Sequence, residues 1–292
     1  MTNNYYINTM FKGPENQINK IESRNILESH SLKQNETLIV FQRHQEHEKN
    51  STSPEHGKLT PKGREAAKEE SSERLIKLIE TIPESERQKI FFLVLGSDST
   101  YPGKGARAME TGTIFSEEVI KILEKYNIDK NNFLNYTREY RNTGQGMPRP
   151  TARLRISPDI DKSSPFGSYL AELYPENSDF VQAFDRDKEK DVRLEMNAEG
   201  PEETADRLKK FLIVLQRYSA KFHEANPDSR LIIFNFTHYD TISPFVKKEL
   251  LKEPIGDRYL PVDFGAGISV TIDNDGKMKT RINEVDYELT KE

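Results

Sequence analysis

The 292-residue chain has no cysteine and no tryptophan. Zero cysteines exclude a disulfide framework, a thiolate zinc site and a cysteine nucleophile. Hydrophobic residues are scarce at 34% and charged residues abundant at 31%. Globular chains carry about 45–50% apolar residues, glycine counted, and about 25% charged ones, so much of this chain must lie on solvated surface. Long apolar runs are missing too. The first residues, MTNNYYINTMFKGPENQ, hold no apolar leader core, and no stretch approaches the ~18 apolar residues that a membrane span requires. A soluble, cytoplasmic protein with no membrane partner is the expectation. Basic residues number 43 against 48 acidic ones, for a formal net charge of −5. That balance offers no broad cationic face to displace the counterions of a nucleic acid, so no nucleic-acid partner is expected. A small anion held by a few local arginines is compatible with it.

What is present is an alternation of buried strands and helices. Residues 1–36 are rich in Asn, Lys, Glu and Ser and read as a polar N-terminal tail, disordered or loosely packed. The run Thr37–Phe41 ends abruptly in polar residues, as a buried central strand does. Thr60 and Pro61 then suit a helix start, one as cap and the other as a first residue whose missing N–H costs nothing; the helix should reach about Ile79. Ile90–Leu95 is a second strand, followed by a helix from about Ala106 to Tyr126. In 202–222 the residues Leu208, Phe211, Leu212, Leu215, Tyr218 and Phe222 recur at helical spacing and predict one buried stripe. Leu231–Phe236 is a third strand, with a helix through Leu251, and Asp275-Gly276 predicts a hairpin between 268–273 and 278–284. Such alternation implies an α/β domain over 37–292 with a largely parallel sheet covered on both faces, which binds ligands beyond the carboxyl ends of its strands. Glycines and prolines between about 142 and 200 break the alternation and predict a loop-rich insertion or lid.

Three segments that follow predicted strands carry unusual residues: Arg43-His44, Arg107 and Thr237-His238. On neighbouring strands they would meet in one pocket. Two guanidiniums and two imidazoles repel one another unless an anion joins them. Arginine forks match phosphoryl oxygens, and a histidine among arginines is pushed toward its neutral form, with a lone pair free to attack phosphorus.

Arg43-His44-Gln45-Glu46, with Asn50 six positions after His44, resembles the RHGExxxN signature of the histidine phosphatase superfamily, which includes the phosphoglycerate mutases. In the same order, 59–66 resembles the LTxxGxxQA helix start. Ser97 with Arg107-Ala108-Met109-Glu110-Thr111 resembles SSxxxRAxxTA, Glu202-Glu203 the GES segment, and Thr237-His238 the second catalytic histidine. The resemblance spans nearly all of 37–292. It implies a three-layer sandwich, phosphoglycerate mutase-like, with a mostly parallel central sheet flanked by helices. It implies that His44 is the phosphorylated nucleophile, that Arg43, Arg107 and His238 bind the phosphoryl group, and that Asn50 is a further contact. Tyr136 to Gly144 resembles a segment of the form LxExxxG, which makes Glu139 the acid; Glu46, Glu202, Glu203 and Asp240 are reserve acids. The implied activity is metal-independent hydrolysis of a small phosphorylated substrate without a cofactor. A phosphoglycerate-type mutase and a catalytically impaired phosphate-binding scaffold of the same fold are alternatives, and the oligomeric state is left open.

Departures bear on the pocket. Gln45 stands where the family has a glycine that lets the backbone approach phosphate, and Tyr239 and Asp240 replace glycines after the second histidine. His44, Glu46, His47 and His56 do not read as a metal site: His44 and His47 would face opposite ways on a strand, and the spacing is neither HExxH nor HxxEH. Finally, 138–155 holds five arginines and one acid, Glu139. Either this loop grips a polyanionic substrate, with Arg149 and Arg153 as contacts, or its arginines pair with the acidic stretch 185–203.

Overall fold

The computed structural model describes residues 18–22, 32–50, 52–99, 106–135 and 147–289. Strands β1 (Thr37–Arg43), β2 (Ile90–Ser97) and β4 (Arg230–Thr237) are almost wholly buried. Their side chains alternate between two apolar layers, as strands covered on both faces must. Leu38 and Val40 point to one layer, Ile39 and Phe41 to the other. Helices α1 (Pro61–Glu80) and α2 (Arg107–Lys125) close the first. The second is closed by the long helix of the 201–225 segment and by residues 242–250.

Among the described residues, seven strands form one sheet in the order β3-β2-β4-β1-β5-β6-β7, with β3 (Arg149–Thr151), β5 (Gly267–Ile272), β6 (Met278–Ile282) and β7 (Val285–Glu288). The sheet is mixed rather than mostly parallel. The pairings among β3, β2, β4 and β1 are parallel, while β1 to β5, β5 to β6 and β6 to β7 are antiparallel. The hairpin predicted around Asp275-Gly276 joins β5 to β6. The turn in direction has a geometric cause. Residues 251–266 form no crossover helix, so the chain re-enters the sheet at the end where β1 leaves it, with Gly267 opposite Gln42.

Helix starts follow local chemistry. Thr60 Oγ1 accepts from the Gly63 amide at 3.0 Å with Pro61 in the first turn, as its sequence predicts. Gly63 is needed for contact: a Cβ there would lie 2.1 Å from the Glu46 carbonyl oxygen, on the segment that follows β1. The insertion is more helical than its glycines and prolines suggest, with α3 (Pro165–Leu173), α4 (Asn177–Asp185) and α5 (Lys190–Glu195). Ser164 caps α3, and Phe166, Leu170, Phe180 and Phe184 give the insertion its own small core. In α6 (Pro201–Ala225) the buried stripe runs Leu208, Phe211, Leu212, Leu215, Ser219, Phe222, and Tyr218 is exposed. The stripe drifts one position at that turn, and the Ser219 hydroxyl meets Thr37 Oγ1 at 2.7 Å. After β4 comes α7 (Tyr239–Phe245), prolonged by a π turn at Val246–Leu250.

Residues 18–22, inside the segment read as a polar tail, pack closely. Ile18 and Ile21 are buried in the core, and Ile21 bonds through its backbone to Pro261 and Asp263. The segment thereby braces the 261–266 loop that precedes β5.

Candidate active site

Register alone brings the key residues together. Arg43 is paired with Thr237 across β1 and β4, and Gly96 with Phe236 across β2 and β4. The chain therefore leaves three adjacent parallel strands at one level, which places His44, His238 and Ser97 side by side. The His44 and His238 ring centroids are 5.1 Å apart, and His238 Nε2 lies 3.1 Å from Ser97 Oγ. Arg107 enters from the first residue of α2 and donates from Nε to His44 Nε2 at 2.8 Å. A guanidinium at a helix N-terminus opposes the helix dipole. An anion would relieve that repulsion along with the repulsion between the arginines.

The tautomer of His44 is set from both sides. Its Nδ1 lies 2.7 Å from the Gln45 carbonyl oxygen, which can only accept, so Nδ1 carries the proton. Arg107 Nε can only donate, so Nε2 presents its lone pair. Burial, and after it Arg107, His238 and Arg43, hold the His44 pKa well below the usual histidine range. Burial, Arg107 and Arg43 do the same for His238. The result is a neutral, oriented imidazole in a cationic pocket.

Arg43 completes that pocket. Its Nη1 donates to the Val262 carbonyl, and its guanidinium lies 4.0 Å from the Phe264 ring centroid and 5.3 Å from that of Tyr239. Of the residues expected at the site, Arg43, His44, Arg107 and His238 are thus brought together. Asn50 is not: it is exposed, and its carboxamide oxygen accepts from the Thr52 amide and hydroxyl in a local turn. Glu139 lies outside the described residues, as do Arg138 and Arg141. Arg149 is exposed and donates to the Leu134 carbonyl, while Arg153 lies on the wall of a neighbouring cleft. Arg155 pairs with Asp98 rather than with the acidic stretch, whose Asp187, Glu199 and Glu203 are taken by Arg193 and Arg207.

The reserve acids separate clearly. Glu202 pairs with Lys190, and Glu203 accepts from the Gly200 amide at the start of α6, so both stabilise that helix. Glu46 lies 3.6 Å from Lys62. Asp240 is buried beside His238 in sequence, accepts from the Ser157 amide at 3.2 Å, and is pushed by burial up to about 6.

The unusual residues are accommodated. Gln45 directs its side chain away from the pocket to donate to Glu70 Oε2 at 2.9 Å, while its amide donates to Thr111 Oγ1. Room for it comes from Gly265, at φ +70°, where a Cβ would lie 2.4 Å from Gln45 Nε2. Gln45 itself does not have a positive φ, so no glycine is required there. Two further residues join the site unannounced by the sequence. The His47 ring is 5.0 Å from that of His44, and Phe264 is 5.8 Å from both. The expectation that His44 and His47 face opposite ways fails because β1 ends at Arg43, and two-residue alternation ends with it. Among the described residues no group of three or more histidines, aspartates or glutamates is placed to hold a metal ion.

These depressed histidines make stability pH-dependent. His47 is lowered to about 3, chiefly by burial and then by Arg107 and Arg43. As pH falls below about 6.5, the unfolded chain takes up protons that His44, His47 and His238 refuse, so stability present above 6.5 is lost at up to about 1.4 kcal/mol per pH unit for each. Asp240 works the other way below about 6, where the folded chain gains a proton. Urea unfolding should therefore show a loss that sets in near pH 6.5 and continues below 6, where the three histidines outweigh the single proton that Asp240 gains. His47→Gln should flatten that slope by about one proton's worth; an unchanged slope would show that His47 is already charged in the folded chain.

No protein-family model matches the sequence, and no curated protein matches it. Similar solved structures exist. The phosphoglycerate mutase from Bacillus anthracis is 15% identical, with 86% of this chain and 94% of that one covered and a TM-score of 0.45. A mycobacterial glucosyl-3-phosphoglycerate phosphatase solved with VO3 is 16% identical over 84% of this chain and 97% of that one, at a TM-score of 0.42. A mycobacterial hydrolase is 14% identical over 88% and 93%, at 0.45. The mutase and the phosphatase are members of the histidine phosphatase superfamily. Among the described residues no helix is long and apolar enough to cross a membrane.

Proposed function

We propose that the protein is a metal-independent phosphomonoester hydrolase of the histidine phosphatase kind, acting through a phosphohistidine on His44. The observation that carries this reading is the doubly fixed His44 imidazole, with its proton on Nδ1 and its Nε2 lone pair facing the Arg107 guanidinium. In the first step Nε2 bonds to phosphorus as the bond from phosphorus to the leaving oxygen breaks. That oxygen takes a proton from an acid, which the family resemblance assigns to Glu139. The Gln45 carbonyl, already bonded to Nδ1–H, stabilises the positive charge that the ring acquires. In the second step water attacks phosphorus and returns a proton to that carboxylate, the nitrogen–phosphorus bond breaks, and its electron pair returns to Nε2. Arg43, Arg107 and His238 hold the equatorial oxygens, and most of the rate enhancement is electrostatic.

Turnover of p-nitrophenyl phosphate in excess EDTA is the direct test. Chelator-resistant hydrolysis is expected, and its absence across pH 5 to 8 would remove the reading. Arg107→Ala should lower kcat/KM by at least ~100-fold, comparable with losing a preorganised oxyanion donor worth about 2.7–4 kcal/mol. A loss of tenfold or less would place Arg107 outside the phosphoryl site.

A further inference from the structure

Beside the histidines lies a cleft of about 1030 Å³ whose wall includes Asp98 and Ser99, the insertion residues Arg153, Arg155 and Asp161, and Glu199 and Arg207 near the start of α6. Two serines link its wall to the histidines. Ser99 Oγ, on its wall, is 2.9 Å from Ser97 Oγ, which meets His238. Its volume is at the upper end of small-molecule sites, about 300–1,000 Å³. We infer that this cleft receives the leaving group of the substrate and that the leaving group is a neutral polyol or sugar. This deepens the phosphatase reading and rests on it.

Charge comes first. Three guanidiniums and three carboxylates line the cleft, and they are largely paired with each other. Arg155 holds Asp98 through Nε and Nη2 at 2.6 and 2.8 Å, and Arg207 lies 3.3 Å from Glu199 while donating to the Arg155 carbonyl at 2.6 Å. A second phosphate here would meet carboxylates as well as arginines, which removes the field that a polyanion needs. Among the described residues, the arginines of this cleft therefore do not form a polyanion grip.

Chemistry narrows the rest. Ala152, Ile156 and Pro158 are the apolar residues of the wall, and among the described residues no aromatic ring lines it, so neither an acyl chain nor a stacked base is matched. What remains is a set of donors and acceptors on one wall. Arg153 is exposed, and the Asp161 carboxylate on the same wall is held in a turn by the Ser163 amide and hydroxyl at 2.9 and 2.8 Å. A hydroxyl both donates and accepts, so a run of neighbouring hydroxyls can satisfy carboxylates and guanidiniums together, as no apolar or purely anionic group does.

The test compares substrates that share one phosphoryl group. Expected is a kcat/KM for glucose 6-phosphate at least ~10-fold above that for butyl phosphate, with fructose 1,6-bisphosphate no better than the monophosphate. Arg153→Ala and, separately, Asp161→Asn should each bring the glucose-to-butyl ratio below about threefold. Parallel calorimetric titration of His44→Ala, which lacks the nucleophile, with inorganic phosphate and glucose 6-phosphate gives the same comparison without turnover, and glucose 6-phosphate should bind at least ~10-fold more tightly. If p-nitrophenyl phosphate is hydrolysed but the glucose and butyl esters are equivalent, or the bisphosphate is preferred, the cleft assignment falls and the phosphatase reading stands. If no ester is hydrolysed while glucose 6-phosphate still binds more tightly than phosphate, the hydrolytic reading falls and the cleft remains. Equal binding of the two anions without turnover overturns both.

Discussion

Replacing His44 with alanine is expected to lower p-nitrophenyl phosphate turnover by at least ~10⁴-fold, the scale on which enzymes respond to loss of a nucleophile that works as one unit with its neighbours. The size follows from what the residue does. An imidazole that attacks phosphorus divides one difficult displacement into two easier ones, and no other described side chain has its lone pair so placed. His238 meets Ser97 instead, and His47 packs edge-on at 5.0 Å from the His44 ring. Rapid quench with a labelled substrate should trap an acid-labile, base-stable phosphoryl group on wild type and none on His44→Ala. Label of the same stability on the variant would move the nucleophile elsewhere. Phosphohistidine that accumulates and decays only when an acceptor sugar phosphate is added would point to a mutase.

The second large effect is on stability. Asp185, at the end of α4, and Lys247, in the π turn after α7, form an ion pair at 2.6 Å with both side chains fully buried. Lys247 Nζ also donates to the carbonyls of Asp185, Ile255 and Arg258, and Asp185 accepts from Ser243 Oγ at 2.7 Å. This cluster joins the insertion, α7 and the 255–260 segment that leads to Phe264. Asp185→Ala leaves a buried ammonium without its counter-charge and is expected to cost about 3–5 kcal/mol. At about 2–4 °C per kcal/mol for chains approaching this size, the Tm should drop by roughly 6–20 °C. Asp185→Leu combined with Lys247→Met removes both charges, and should recover most of that loss, since an apolar pair of similar volume is often neutral to stability. A single variant that melts within about 3 °C of wild type would show that water reaches the pair.

Much of this molecule is legible along the chain. Thr37–Phe41, Ile90–Leu95 and Leu231–Phe236 are strands because continuous β-branched and aromatic runs suit a sheet covered on both faces. The starts of α1 and α6 follow from Thr60-Pro61 and from Pro201 with Glu203. Arg43, His44 and His238 stand out because ionisable groups directly after buried runs have few reasons to be there other than a ligand, and Arg107 stands out at the start of the helix that follows β2. All of these are local signals, carried by neighbours within a few positions, and a sequence displays them whatever the rest of the chain does.

Tertiary structure decided what local signals do not encode. Whether β5 would run with or against β1 depended on the path of 251–266, and its antiparallel entry is what sets Phe264 against His44 and Arg43. The end of β1 at Arg43 turned His47 toward His44, although two-residue alternation predicts the opposite. Gln45 is tolerated only because Glu70 and Gly265, 25 and more than 200 positions away, accept its side chain. Arg149 and Arg155 meet Leu134 and Asp98 rather than the acidic stretch because β3 pairs with β2 and brings them there. Composition and periodicity determine which segments fold and which residues are out of place on their own. Pairing across the sheet, a contact between residues far apart in the chain, determines which of them meet.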